Sequence, residues 1–436
     1  MGRTMLFCST KNPSSPVPFR QALLAGLPSD GGLFVPQEIP VLKNSVIQNS
    51  RGKSFQKIAF VIARAFIDVR EISDEVLQKI IAEAFDFPIP IHDLNGQTKV
   101  LELFHGPTLA FKDFAARFMA RLVEYFLAKK NQKKTILVAT SGDTGGAIGS
   151  AFSTLKNVSV VILFPQDGVS TVQKSQLTTL GSSVTAIEIR GSFDDCQSLV
   201  KSAFLDPEIQ QSDQLMSANS INIGRIIPQI FYYAHASLAG SREEKTVFSV
   251  PSGNLGNFLG GVLAQKMGFP IHTMIASQNI NHPFVDYLHT RNFTPMPSKM
   301  TISNAMDIGH PNNFYRLDHW IYSAKIDTKF MAGFFFSDDE TKAEILRIWS
   351  NYKYLMCPHT AVGSLGLGAW KKANPDFSGT SIVVSTAHPA KFPETIEPIV
   401  HQTIPTPKNL AEILQKNPIQ KNLSPDLNQL KNILLS

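Results

Sequence analysis

Apolar positions along this chain follow two rhythms, and the change from one to the other divides it. Over residues 1–95 the spacing is mostly helical. Residues 19–27 (FRQALLAGL), 55–66 and 74–85 repeat apolar side chains every three or four positions, with the turn SDGG and the proline-bounded GLFVPQEIP after the first of them. Beyond that point short β-branched runs alternate with glycine turns and helical stretches. Residues 135–139 (TILVA) lead through TSGDTGG into AIGSAFSTL and then 158–164 (VSVVILF). Residues 246–250 (TVFSV) lead through PSGNLGN into FLGGVLAQKMG and then 271–276 (IHTMIA), and a third run, 381–385 (SIVVS), opens TAHPAKF. Strand, glycine turn, helix and strand make a βαβ unit, so the pattern predicts an α/β protein with parallel sheets covered by helices on both faces. The tail from Gln402 keeps leucines at helical spacing among Asn, Gln, Lys and Pro and reads as docked on the rest. The expected divisions are 1–95, a core over 96–400, and a helical tail over 401–436.

One position breaks the helical rhythm. In HGPTLAFKDFAARFMARLVEYF (105–126) a helix is predicted from Ala110, with Phe111, Ala115, Phe118, Met119, Leu122 and Phe126 along one side. At about 100° per residue, Asp113, Arg117, Arg121 and Glu124 gather into a charged arc. Lys112 shares a side with Ala116, Met119 and Val123 instead, which turns its ammonium inward. Such a lysine either snorkels its head to water or is masked by a ligand. In the second case desolvation favours the neutral amine, the form that condenses with an aldehyde.

The turns SGDTGG (141–146) and SGNLGN (252–257) stand where a parallel strand gives way to a helix. Free backbone N–H groups and the helix dipole make such a place receptive to anions, though a small-residue turn is also an ordinary connection. Neither turn matches the dinucleotide pattern GxGxxG. The only GK[ST], at Gly52-Lys53-Ser54, has Ile47 where a P-loop needs its first glycine, so a nucleotide site finds no support.

Composition narrows the field. Hydrophobic content of 43%, with 17% charged residues and a net charge of +6, is that of a globular chain, and its 436 residues allow two or three domains. The densest basic cluster, KKNQKK (129–134), is a short linker with no aromatic partners, which argues against nucleic-acid binding. Cys8, Cys196 and Cys357 form no paired framework, so a reducing, cytoplasmic setting is expected, and no spacing suggests a metal. The opening MGRTMLFCSTKNPSS lacks a signal-peptide core and, with Leu6, misses the myristoylation pattern. No uncharged apolar run reaches the roughly 18–20 residues of a membrane span.

Taken in order, HGPTLAFKDFAARF, ATSGDTGGAIGSAF, VPSGNLGNFLGG, CPHTAVG and STAHPAKF resemble the threonine synthases, and the likeness begins at FRQALLAGLPSDGGLFVP. Those are pyridoxal-phosphate (PLP) enzymes of fold type II, shared with the tryptophan synthase β-subunit. The resemblance implies two parallel-sheet α/β subdomains with the cofactor between them and an N-terminal accessory segment. It implies that Lys112 forms the Schiff base with PLP, that Gly253, Asn254, Leu255, Gly256 and Asn257 cup its phosphate, and that Thr386, or its neighbour Ser385, meets the pyridine nitrogen through a hydroxyl. Asp143 would lie by the 3′-oxygen, and the turn containing Ser141, Gly142 and Thr144 would receive the substrate carboxylate.

The implied reaction turns O-phosphohomoserine and water into threonine and phosphate, in a monomer or homodimer with no nucleic-acid or membrane partner. Asn222 and Arg225 of SANSINIGRIIPQ are the candidate clamp for the departing phosphate. His359 and Thr360 would sit close to the ring edge, against the default of a packed histidine; Asp307 reads as a turn cap or a substrate contact, and Lys391 as a surface residue. Cys357 stands where the pattern leads one to expect an acid. Rival readings are a dehydratase-like or phospho-lyase elimination and a non-catalytic binding protein on the same fold; a nucleotide-dependent enzyme is the weakest.

Overall fold

The computed structural model describes residues 5–129, 132–181, 183–211, 215–240 and 244–435. The first four residues of the opening stretch, and Lys130 and Asn131 of KKNQKK, lie outside the described residues. Two parallel sheets carry the core. The larger runs in the order Met331–Phe335, Ile271–Gln278, Thr246–Pro251, Thr380–Ser385, Thr98–Glu102, all parallel, with Ile91–Asp93 antiparallel at the edge. The smaller runs Lys421–Leu423, Val184–Ile189, Val158–Pro165, Lys134–Ala139, Leu215–Ser217, parallel throughout. Thr246–Pro251 is buried at every position, as a central strand covered on both faces must be.

The βαβ pattern read from the sequence is present, with strand ends moved by a residue or two: 135–139 becomes Lys134–Ala139 and 271–276 becomes Ile271–Gln278. The tail, read as helical, also supplies the strand Lys421–Leu423 on the open edge of the smaller sheet, between helices Lys408–Leu414 and Leu427–Leu434. Helix periodicity cannot register a three-residue edge strand.

The leading segment pairs Leu6–Ser9 antiparallel with Val17–Pro18 and Phe34–Pro36, followed by helices that include Phe55–Phe66 and Asp74–Ala84. Each of those two helices starts on a serine whose hydroxyl accepts a first-turn N–H, Ser54 and Ser73. Aromatic rings fasten the segment to the helix Lys112–Ala128. Phe85 lies 5.8 Å from both Phe114 and Phe118, and Phe55 lies 5.8 Å from Phe114. The segment therefore holds the back of the helix that presents Lys112. Among the described residues no helix is long and apolar enough to cross a membrane.

Candidate active site

Lys112 is the first residue of its helix, two positions later than the periodicity predicts. The preceding turn is tied to the segment that follows Thr380–Ser385: Phe111 N donates to Thr386 O at 2.9 Å, and His388 N donates to Leu109 O at 3.0 Å. Two stretches nearly 280 residues apart are thus brought together, and the SIVVSTAHPAKF turn is fixed beside the lysine.

Of the two outcomes open to Lys112, the structure shows the buried one. Only 14% of its side chain is exposed, and Nζ lies 3.9 Å from Asp143 Oδ2 rather than out in water. Burial lowers its pKa from 10.5 to about 8; Asp143 opposes that shift, and the positive charges of Lys391 and Arg225 assist it.

Asp143 opens the helix Asp143–Phe152 and is itself buried. Lys391 Nζ donates to its Oδ1 at 2.6 Å, and Gln173 Nε2 donates to the same oxygen at 2.9 Å. Although burial pushes this carboxyl up, the ammonium groups of Lys391 and Lys112 outweigh it and hold the group well below the usual carboxylate range. The reading of Lys391 as a surface residue is overturned: it is fully buried, and it also donates to Thr108 O at 3.0 Å. Asp113 likewise leaves the exposed arc. Its carboxylate accepts Thr108 N and Thr108 Oγ1, at 2.9 and 2.6 Å, and so caps the turn ahead of Lys112. Burial raises it to about 6 against those two bonds.

The turn before Asp143 needs its glycine. Gly142 has φ +136°, and a Cβ there would stand 2.5 Å from the Gln173 side chain. Thr140 Oγ1 gathers the N–H groups of Gly142 and Gly145 at 3.0 and 2.9 Å, while Ser141 and Thr144 stay partly exposed at the helix start.

The second glycine turn follows Thr246–Pro251 and opens the helix Gly256–Lys266 through Leu255, in the left-handed conformation at φ 59°. A Cβ on Gly253 would meet Met306 Cα at 2.8 Å and Ala305 O at 3.0 Å, so the neighbouring segment closes over the turn. The Asn254 side chain is spent on structure: Nδ2 donates to Ser220 Oγ at 2.7 Å and Oδ1 accepts Asn312 N at 2.6 Å. Asn257 differs. The hydroxyls of Tyr232 and Tyr233 both donate to its Oδ1, at 2.6 and 2.8 Å, which leaves Nδ2 buried with no partner among the described residues. An unmet amide donor in the first turn of a helix, beside free backbone N–H groups, fits the phosphate of PLP.

At the end of Thr380–Ser385, Ser385 Oγ is paired with Thr360 Oγ1 at 2.9 Å. Thr360 Oγ1 lies 3.1 Å from Cys357 Sγ, and that thiol accepts Thr360 N and caps the helix Pro358–Ala373. Where an acid was expected, a thiol therefore serves as the cap; burial pushes it above its ordinary pKa, so it stays neutral. Among the described residues no side-chain hydrogen bond engages Thr386 Oγ1, which makes Thr386, rather than Ser385, the hydroxyl open to a ring nitrogen.

The clamp residues separate. Asn222 is wholly buried and fully bonded: Nδ2 donates to Leu23 O and Ser217 O, both at 2.9 Å, and Oδ1 accepts Gly224 N at 2.9 Å. Its amide shapes the turn, so it has nothing left to offer an anion. Arg225 is buried, donates to Ala218 O at 2.6 Å and has a buried Nε without partner. Burial lowers its pKa to about 10, so the guanidinium stays charged at neutral pH. Asp307 is the turn clip of the two roles considered: it accepts Thr301 Oγ1 at 2.7 Å, Thr301 N at 2.9 Å and Asn279 Nδ2 at 2.9 Å.

Lys391 and Gln173 are the residues sequence reasoning missed. Lys391 carried a signal, a lysine between Ala390 and Phe392 in an apolar turn, of the kind that singled out Lys112. Gln173 carried none, because it reads as the glutamine of an ordinary capping box with Ser170, which it also forms.

Three family models match the chain: "Pyridoxal-phosphate dependent enzyme" over residues 90–387, "Threonine synthase N terminus" over 6–85 and "Threonine synthase, C-terminal" over 360–434. The threonine synthase of Escherichia coli is 39% identical over 434 residues, covering 99% of this chain and 100% of its own. A crystal structure of threonine synthase from Escherichia coli superposes with a TM-score of 0.93 at 36% identity, covering 99% of each chain. A PLP-bound threonine synthase from Brucella melitensis superposes at 0.90 with 34% identity, covering 99% of this chain and 98% of that one.

Proposed function

The chain belongs to the threonine synthase family of pyridoxal-phosphate-dependent enzymes, and from that premise we propose that it converts O-phospho-L-homoserine and water into L-threonine and inorganic phosphate. The observation that carries this reading is relatedness unbroken from the leading segment to the tail. A threonine deaminase structure, by contrast, is 14% identical over 79% of this chain, a likeness of fold alone.

In this reading Lys112 holds the cofactor aldehyde, and the Gly253–Asn257 turn holds the phosphate through backbone amides and Asn257 Nδ2. Thr386 Oγ1 would hydrogen-bond the ring nitrogen, and Asp143 would lie by the ring oxygen. When bound, PLP draws electron density from the substrate's α carbon and makes the proton there removable. Lys112 takes that proton and returns it to neighbouring carbons, a task for which a pKa of about 8 suits it near neutral pH. Ser141 and Thr144 offer hydroxyls and helix-start N–H groups to the substrate carboxylate, while Gly142, whose N–H is held by Thr140 Oγ1, shapes the turn. Arg225 grips the leaving phosphate, and Asn222 supports it only by holding the turn. A cytoplasmic setting belongs to the proposal, since Cys8, Cys196 and Cys357 are all buried free thiols.

Product analysis with O-phosphohomoserine tests it. Threonine and phosphate in equal amounts are expected. Phosphate with 2-oxobutyrate and no threonine would assign the chain an elimination instead.

A further inference from the structure

His359, read from the sequence as packing, holds a donor that no residue uses. It sits in the first turn of Pro358–Ala373 and is 3% exposed. Nε2 accepts Ala305 N at 3.1 Å, which requires that nitrogen to be unprotonated and puts the proton of the neutral ring on Nδ1. Nδ1 is buried and without a partner among the described residues. Native proteins rarely leave a buried N–H unmet unless something else meets it.

Its neighbours locate that donor. The segment that anchors Nε2 is the one that closes over Gly253, through Ala305 O and Met306. On another side the imidazole packs 5.1 Å from the ring of Phe392, the residue after Lys391. The charges of Asp143, Lys112 and Lys391 all act on it. His359 therefore adjoins the segment over the glycine turn on one side and the Lys391–Phe392 segment on another. Burial, assisted by the two ammonium groups and opposed by Asp143, lowers its pKa to about 4, so the ring is neutral throughout the working range. Its place at a helix start acts in the same direction.

We propose that His359 binds substrate: its Nδ1–H donates a hydrogen bond to an anionic oxygen of the phosphorylated amino acid held at Lys112. This rests on the function proposed above, which puts the reacting atoms at that lysine. A neutral donor suits the place, because Lys112, Lys391 and Arg225 already bring positive charge and a further cation would oppose protonation of the working amine.

The test uses the holoenzyme and a phosphonate analogue of the substrate, with a methylene in place of the ester oxygen, titrated through the cofactor absorbance. His359→Gln keeps an acceptor for Ala305 N and lacks the Nδ1 donor; His359→Asn restores an amide N–H near the Nδ1 position. The Gln variant should bind the analogue about 10- to 100-fold more weakly with its cofactor retained, the scale of a lost hydrogen bond to a charged group, and the Asn variant should regain most of that. Unchanged binding in the Gln variant, or equal weakening in both variants together with cofactor loss, overturns the role. In the wild-type enzyme the histidine Nδ1–H resonance should move downfield when the analogue is added, and a stationary resonance also overturns it. Wild-type turnover in the same samples keeps the two claims apart: if threonine forms, such results strike His359 alone, and if none forms, the proposed function fails first.

Discussion

Lys391 meets Asp143 at 2.6 Å with no access to water, and the other oxygen of that carboxylate lies 3.9 Å from Lys112. The lysine proposed to carry the cofactor and a second, buried lysine thus share one counter-ion. Lys391→Met removes a charge that disfavours protonation of Lys112, so the Lys112 pKa should rise above about 8; Asp143→Asn removes the charge that favours protonation, so it should fall. Cofactor loading onto the apo form follows the fraction of neutral amine. Its rate-versus-pH midpoint should move up in the first variant and down in the second, and near neutral pH the first should load roughly 3- to 10-fold more slowly. Midpoints that stay together or move the same way would refute the shared counter-ion.

Gly142→Ala meets two obstacles, a φ of +136° and the Gln173 side chain at 2.5 Å. It should lower the unfolding free energy by about 1–3 kcal/mol. It should also lower kcat/KM by roughly tenfold, because Gln173 positions Asp143. Gly181→Ala, with φ +93° and open space around it, is the control and should lose stability without losing activity. Equal activity in the two variants would remove Gln173 from the site.

Arg225→Lys retains the charge and loses the planar fork. If Arg225 grips the phosphate, KM for O-phosphohomoserine should rise about tenfold or more, the scale of a charge-assisted hydrogen bond. Asn222→Ala should instead lower the melting temperature, since its three hydrogen bonds are internal. A KM untouched by Arg225→Lys would leave the departing phosphate without this partner.

Asp307→Asn turns an amide N–H towards donors that now face a carboxyl, and should cost about 1–3 kcal/mol of stability at about pH 4 and less at neutral pH. Burial raises this carboxyl from 3.8 to about 6. Between those values the folded chain keeps a proton the unfolded chain has released, so the stability contributed by this group is present below 3.8 and declines as pH rises through about 6. Denaturant titrations across that range should show a flatter pH slope in the variant; an unchanged slope would mean Asp307 titrates elsewhere.

What the sequence revealed and what it hid separate along a physical line. Lys112 was legible because a charge on an apolar helix side violates a local period, and both glycine turns were legible because strand, turn and helix are contiguous. Lys391 and Gln173 act through Asp143, from positions 248 and 30 residues away, and no local pattern records such a meeting. Asp113 misled because helical phase alone put it with exposed charges, whereas the backbone ahead of the helix turns Thr108 back onto it. Asn222 misled because i, i+3 spacing says that two side chains are neighbours but not what else has already engaged them.

Of the two lysines on the Asp143 carboxylate, Lys112 rather than Lys391 is proposed to carry the aldehyde of the cofactor. Borohydride reduction of the holoenzyme followed by peptide mapping tests this most directly. The reduced pyridoxyl group is expected on the peptide containing Lys112, and none in the Lys112→Ala variant. The label on Lys391, or on any other lysine of the wild-type enzyme, would contradict it.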